Sequence, residues 1–286
     1  DSGHIIINGK TLFDSQKRIC LKPQQRRTGY LFQNYALFGK MSVEKNIMAG
    51  ARGSRTEKKE KADELIHMFE LDGLEKRLPH QLSGGQQQRT ALARLLASEP
   101  EIILLDEAFS ALDSQLRERL QYEFIKVLES SAIPAIIVSH DRDEIYKLTE
   151  NTVIMDNGRV CRCGNTKDVF LSPGDSVSAR LTGCRNISPC RIEGKRLLFA
   201  EDWGIYLETE NVKFVGIRAH DICAAPDNCT LNTVNVSEER VLESPFEYTR
   251  ILRTHNGGIL WQKYDREKYD SSLTLMLPPH SLLLLK

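Results

Sequence analysis

Three short segments carry residue types suited to phosphate chemistry. Ile102-Ile103-Leu104-Leu105-Asp106-Glu107 sets two acids at the end of a continuous apolar run. Four aliphatics in a row read as a strand buried on both faces, which would deliver its last residues to the carboxyl edge of an α/β sheet, where ligands bind. There Asp106 could hold Mg2+, usually through water, because that ion takes oxygen ligands in octahedral geometry. Glu107 could polarise an attacking water. Taken alone, the same run also reads as a strand ending in solvated acids. The second segment is Leu82-Ser83-Gly84-Gly85-Gln86-Gln87-Gln88-Arg89. Ser83 and the glycines open a helix whose small residues permit close backbone approach, and the free N–H groups at that end suit an anion. A capped glycine-rich turn is the plainer reading. In the third, Val138-Ser139-His140-Asp141, a histidine follows another apolar strand.

A cradle for the phosphates would have the form G-x-x-x-x-G-K-[ST]. Gly9-Lys10-Thr11 ends in that manner, but five residues rather than four separate Gly3 from Gly9. They include Ile5-Ile6-Ile7, a strand and not a flexible loop, so this segment reads as a decoy.

The elements that must position these residues follow from periodicity. Residues 4–13 read as a hairpin turning at Asn8-Gly9, and 29–32 as a short strand. Arg55–Phe69 and Gln86–Ala97 read as helices, Asp113–Leu128 as an amphipathic helix, and Arg142–Leu148 as a further helix. Ile102–Leu105 and Ala135–Ser139 read as buried parallel strands, and residues 152–155 and 159–163 as a hairpin around Asp156-Asn157-Gly158. Strand and helix alternate, as in an α/β parallel sheet. A turn-rich stretch at 171–176 starts a linker. Beyond it, short strand-like runs at 196–199, 204–207, 213–217, 258–261 and 273–277 suggest a small β barrel or sandwich.

Composition narrows the classes. The 286 residues suffice for two domains with real cores. Lysine plus arginine and aspartate plus glutamate balance at 39 each, so no basic field points to nucleic acid. Seven irregularly spaced cysteines do not make a disulfide framework, and Cys161-Arg-Cys163 is too close for a C-x-x-C pair. Reduced cysteines of a cytosolic protein are expected. No apolar run approaches the roughly 20 residues that span a bilayer, so a role in transport would need a membrane partner.

Together these segments resemble the ATP-binding-cassette (ABC) proteins. Leu82–Arg89 matches their signature and Asp106-Glu107 their Walker B pair. Gln33, in Tyr30-Leu31-Phe32-Gln33-Asn34-Tyr35-Ala36-Leu37-Phe38, matches their Q-loop. Ser110-Ala111-Leu112-Asp113 matches their D-loop and His140 their switch histidine. Two positions depart from the family pattern, with Ala108 and Gly39 standing where it usually has proline.

The resemblance implies an α/β, P-loop NTPase-like ATPase domain over 1–172, incomplete at its N-terminus, with a helical subdomain at about 40–98. A small all-β regulatory barrel of TOBE or molybdate-binding type is implied over 173–286. The phosphate loop is expected upstream of Asp1, in a chain read as N-terminally truncated. ATP and Mg2+ are the implied cofactors. Asp106 and Gln33 would serve the metal, Glu107 and His140 catalysis, and Ser83, Gly84, Gly85, Gln86, Gln33 and Asp113 the nucleotide. Two subunits would close head to tail, with Ser83, Gly85 and Gln86 meeting the γ-phosphate held by the opposite copy. An integral membrane permease would dock around residues 33–43, and an extracytoplasmic solute-binding protein would act indirectly. The resemblance thus places the protein peripherally on the cytoplasmic face of the cell membrane.

The runs Lys17–Arg27, Gly183–Ile187, Asp202-Trp203-Gly204 and Gly216–Asp221 further resemble the ATPase subunits of prokaryotic molybdate importers. Sulfate, iron(III) and polyamine importers share much of that pattern. A non-hydrolysing subunit that binds the permease or an oxyanion is the alternative.

Overall fold

A computed structural model describes residues 2–286 apart from 33–34, 111–113, 132, 195, 210–211, 227–228 and 269, and apart from the side chains at 116, 120, 123, 127, 130, 131 and 268. The chain divides into two compact units, Asp1–Asp141 and Arg142–Lys286.

The first unit opens with an antiparallel sheet of β1 (His4–Ile7), β2 (Lys10–Asp14) and β3 (Ile19–Cys20), turned at Asn8-Gly9. A parallel sheet follows, in the order β4 (Thr28–Leu31), β5 (Ile102–Asp106), β6 (Ala135–Val138). Between β4 and β5 the chain forms α1 (Val43–Gly50), α2 (Arg55–Met68) and α3 (Gly84–Ala97). Ser42, Ser54 and Ser83 cap these helices with their hydroxyls, each relieving an N–H that the helix itself leaves unpaired. α4 (Ser114–Ser131) links β5 to β6.

α3 seats the parallel sheet. A methyl group at Gly29 would meet Leu95 Cδ2 at 3.0 Å and Pro100 at 3.1 Å, so β4 approaches α3 as closely as a bare backbone permits. The same holds between helices, since a methyl at Gly50 would lie 2.2 Å from the Arg94 carbonyl oxygen. Leu31, Ile103 and Leu105 are buried, and each such side chain contributes roughly 1.5–3 kcal/mol of apolar transfer.

One expectation is corrected here. Among the described residues β5 and β6 are covered on one face only. In β5 only Ile103 and Leu105 are buried, while in β6 Ile136 and Val138 are 56% and 57% exposed. The parallel register sets Tyr30, Leu104 and Ile136 side by side, and among the described residues this face of the sheet is open. An aliphatic run reports hydrophobicity but not how many faces have neighbours.

The second unit begins with α5 (Arg142–Leu148), the hairpin of β7 (Asn151–Asp156) and β8 (Arg159–Asn165), α6 (Thr166–Leu171) and α7 (Ser176–Leu181). Ten antiparallel strands follow: β9 (Asn186–Ile192), β10 (Leu197–Ala200), β11 (Ile205–Glu208), β12 (Phe214–Ile217), β13 (Cys223–Ala224), β14 (Thr233–Glu243), β15 (Glu247–Thr254), β16 (Ile259–Asp265), β17 (Thr274–Met276) and β18 (Leu282–Leu285). They form two sheets, β11-β10-β9-β12-β18 and β13-β17-β14-β15-β16. Both sheets feed one core, with Leu207, Val215 and Ile217 from the first and Val234, Leu252, Leu260 and Leu275 from the second. Asn186 fastens the sheets together. Its Nδ2 donates to the Trp261 carbonyl at 2.8 Å and its Oδ1 accepts from the Trp261 N–H at 2.7 Å.

Candidate active site

β5 and β6 end side by side, with Asp106 paired to Val138. The Glu107 N–H donates to the Val138 carbonyl at 2.9 Å, extending the ladder by one bond. At Glu107 the backbone then turns into the left-handed region, φ 49°. This conformation costs a non-glycine residue about 1–2 kcal/mol and persists only where the surroundings hold it. Here they do. Ser110 Oγ donates to the Glu107 carbonyl at 2.9 Å. Ala108 and Phe109 are fully buried, and Phe109 meets Phe124 of α4 edge-on at 6.0 Å. The turn lifts the Glu107 side chain towards the segment after β6, where His140 Nδ1 lies 2.9 Å from Glu107 Oε1.

Asp106 stays on the strand. The Tyr30 hydroxyl, from β4, donates to its Oδ2 at 3.3 Å. Partial burial, together with this carboxylate's charge and hydrogen bond, pushes the Tyr30 phenol above its ordinary pKa, so it stays a donor at neutral pH. Tyr30 is a site residue the sequence reading did not single out. Its signal was available, for parallel pairing puts it opposite Leu104, two residues before Asp106. Asp106, Glu107, His140 and Tyr30 thus converge at one carboxyl edge.

The signature residues form a second group, held by their own turn. Ser83 Oγ accepts from the Gln86 N–H at 3.3 Å, and Gln86 Oε1 accepts from the Ser83 N–H at 3.0 Å. This capping box leaves Gly84 and Gly85 as the first helical residues, and apart from the chain neighbours and the helix's own backbone no atom lies within 4 Å of where a methyl at Gly84 would stand. Gln33 and Asp113 lie outside the described residues. The chain just after Gln33 is tied to α3, because Arg94 donates to the carbonyls of Ala36 (2.9 Å) and Tyr35 (3.1 Å) and stacks over Phe38. Buried Asn46 then holds the next turn, donating to Phe38 O, Met41 O and Ser42 O and accepting from the Phe38 N–H.

Among the described residues no three of histidine, cysteine, aspartate and glutamate cluster as a metal cage. The oxygen set of Asp106 and Glu107 does fit Mg2+, which is commonly held by one or two carboxylates plus substrate phosphates.

Comparison with known proteins agrees with this geometry. The ABC transporter family model matches residues 1–110. A sulfate/thiosulfate import ATP-binding protein, CysA of Synechococcus elongatus, is 31% identical over 272 residues, covering 94% of this chain and 75% of that protein. The chain belongs to the ABC transporter ATP-binding proteins. CysA of Brucella melitensis biotype 1 is 38% identical over 205 residues, 69% of this chain and 56% of that protein. The Fe(3+) ions import ATP-binding protein FbpC 2 of Pectobacterium atrosepticum is 38% identical over 195 residues, 68% of this chain and 56% of that protein. The chain therefore spans little more than half the length of these last two relatives. Among solved structures, a dimeric ATP-binding cassette in a post-hydrolysis state with ADP and Pi is 30% identical. It covers 58% of this chain and 75% of its own at a TM-score of 0.50. The cbiO1 protein of Clostridium perfringens, part of the ABC transporter complex cbiONQ, is 28% identical over 59% of this chain and 68% of its own, at a TM-score of 0.52. The α/β fold is accordingly that of an ABC ATPase cassette. No helix among the described residues is long and apolar enough to cross a membrane.

Proposed function

We propose that the chain carries the hydrolytic and signature parts of an import ATPase for an inorganic ion, sulfate or thiosulfate foremost. The observation that carries hydrolysis is the contact of Glu107 Oε1 with His140 Nδ1 at 2.9 Å, beside Asp106. A carboxylate whose position is fixed by a neighbouring imidazole suits a base that takes a proton from water. Asp106, with Gln33, would hold Mg2+, which supplies charge neutralisation for the phosphates. His140 would meet the γ-phosphate, and Ser83, Gly85 and Gln86 would meet that of a second copy. Closure of the two copies then gates hydrolysis and transmits force to a permease seated around residues 33–43. The protein would work peripherally on the cytoplasmic face of the membrane, beside a permease fed by a solute-binding protein.

The solute reading rests on the relatives. Those described above are named for sulfate/thiosulfate and iron(III) import, and none for molybdate, so the alternatives to molybdate weighed from the sequence have the better support. No G-x-x-x-x-G-K-[ST] loop occurs in residues 1–286, so the 286 residues alone should bind Mg-ATP weakly.

The test uses the protein from its native cells, reconstituted with its permease and solute-binding protein. Sulfate or thiosulfate should stimulate ATP hydrolysis, and Glu107→Gln should abolish it. Stimulation by iron(III) or molybdate alone would reassign the solute. Hydrolysis indifferent to Glu107→Gln would leave the non-hydrolysing subunit as the reading.

A further inference from the structure

Away from the carboxylates, the second unit gathers three sulfur atoms from three chain segments. In the antiparallel pair of β13 and β17, Cys223 stands directly opposite Met276, which places both side chains on one face. The Cys223 thiol donates weakly to the Met276 carbonyl at 3.9 Å. Cys229, a few residues beyond β13, brings its Sγ to 3.8 Å from Met276 Sδ. All three residues are partly buried and partly open to solvent.

Apolar filling alone does not call for this arrangement. Leu275, beside Met276 on β17, points into the core, so Met276 and its partner Cys223 stand on the other face of that strand pair. Two thiols, each against Met276, and the Met276 thioether offer instead an all-sulfur donor set, the kind that selects soft d10 cations over Mg2+, Ca2+ or Mn2+.

We propose that Cys223, Cys229 and Met276 form a binding site for a soft cation of the Cu(I) class. On binding, the two S–H bonds break, both protons pass to solvent, and two copper–thiolate bonds form. The Met276 thioether donates a lone pair as third ligand. No atom changes oxidation state. The bound ion would tie β13 and the Cys229 segment to β17, an edge that only two residue pairs join.

The experiment titrates Cu(I) anaerobically into the full chain against a chromogenic chelator. The exposed Cys20, Cys161 and Cys163 are first replaced by serine so that they do not compete. One ion per chain is expected. Cys223→Ser or Cys229→Ser should weaken it about 100-fold or more, and the volume-conserving Met276→Leu about tenfold, since loss of an outer-shell partner alone costs about 10–100-fold. X-ray absorption of the copper-loaded parent should show sulfur neighbours only, with one fewer in Met276→Leu, a reading independent of whether the serine variants fold. Affinity unchanged across all three substitutions, or nitrogen and oxygen neighbours around the copper, would overturn the site.

Discussion

The His140 imidazole and the Glu107 carboxylate touch across the carboxyl ends of two parallel strands, Nδ1 to Oε1 at 2.9 Å, although 33 positions separate them in sequence. Register makes the contact possible. Asp106 pairs with Val138, so Glu107 and His140 leave the sheet on adjoining strands, and the left-handed backbone at Glu107 turns its side chain across the gap. If this contact sets the position of the carboxylate, the two residues should act as a unit. Glu107→Gln is expected to cut single-turnover phosphate release by about 10²–10⁴ and His140→Ala by about 10². The double substitution should be no worse than Glu107→Gln alone, since groups acting together lose function non-additively. Multiplied losses would mean that the two residues act independently.

The Ser83 hydroxyl has a structural task as well as a proposed ligand. Removing the cap in Ser83→Ala should cost about 1 kcal/mol, and hence about 2–4 °C in melting temperature for a chain of this size. Ser83→Gly should recover most of that stability, because glycine is a tolerated N-cap. If Ser83 also meets a phosphate across a dimer, hydrolysis will remain low in the glycine variant while the melting temperature returns. Recovery of both together would assign Ser83 to capping alone.

These site elements were legible because their residues are chemically singular. The runs ending in Asp106-Glu107 and Ser139-His140 fixed two strand ends, and Ser83 with its glycines fixed a helix start. The tail was harder to read. β14 carries Ser237, Glu238, Glu239 and Arg240 in succession with a register shift between Glu238 and Arg240, which erases the two-residue alternation of a strand. β9 contains Pro189, a residue that argues against a strand when met in sequence. β18, four leucines in a row, invites weighing as a membrane segment, whereas it forms the edge strand paired with β12. Tyr30 and Arg94 gain their roles only from neighbours far away in the chain.

Arg250 shows what such distant partners are worth. Its side chain is fully buried and its guanidinium holds Glu238 Oε2 at 2.6 Å, the carbonyls of Asp270 (2.9 Å) and Ser272 (3.0 Å), and Gln262 Oε1 (3.3 Å). Arg250→Met leaves the carboxylate and carbonyls without their donor and should cost about 3–5 kcal/mol. Arg250→Lys should restore less than half, because one ammonium cannot span the fork. Both tryptophans, Trp203 and Trp261, lie in this unit, so urea unfolding followed by intrinsic fluorescence reads the loss directly. A change below about 1 kcal/mol, the level of an exposed ion pair, would refute the central role assigned to Arg250.

The pH dependence of the same unit should turn on Cys184. Its thiol is 1% exposed and donates to the carbonyls of Asn186 (3.3 Å) and Ile217 (3.4 Å). Burial pushes its pKa from an ordinary 9.0 up to about 11. The folded state thus keeps a proton that the unfolded chain releases. The stabilisation is fully present below pH 9 and is lost as pH rises through about 11, the loss reaching about 2–3 kcal/mol once both states are ionised. Cys190, also raised to about 11 by burial, adds a loss of the same sign. Urea midpoints measured on either side of this window should therefore fall with rising pH. In Cys184→Ala the midpoint below pH 9 should be lower, from the small cavity, while the alkaline decline becomes shallower. An equally steep decline in that variant would place the titrating group elsewhere.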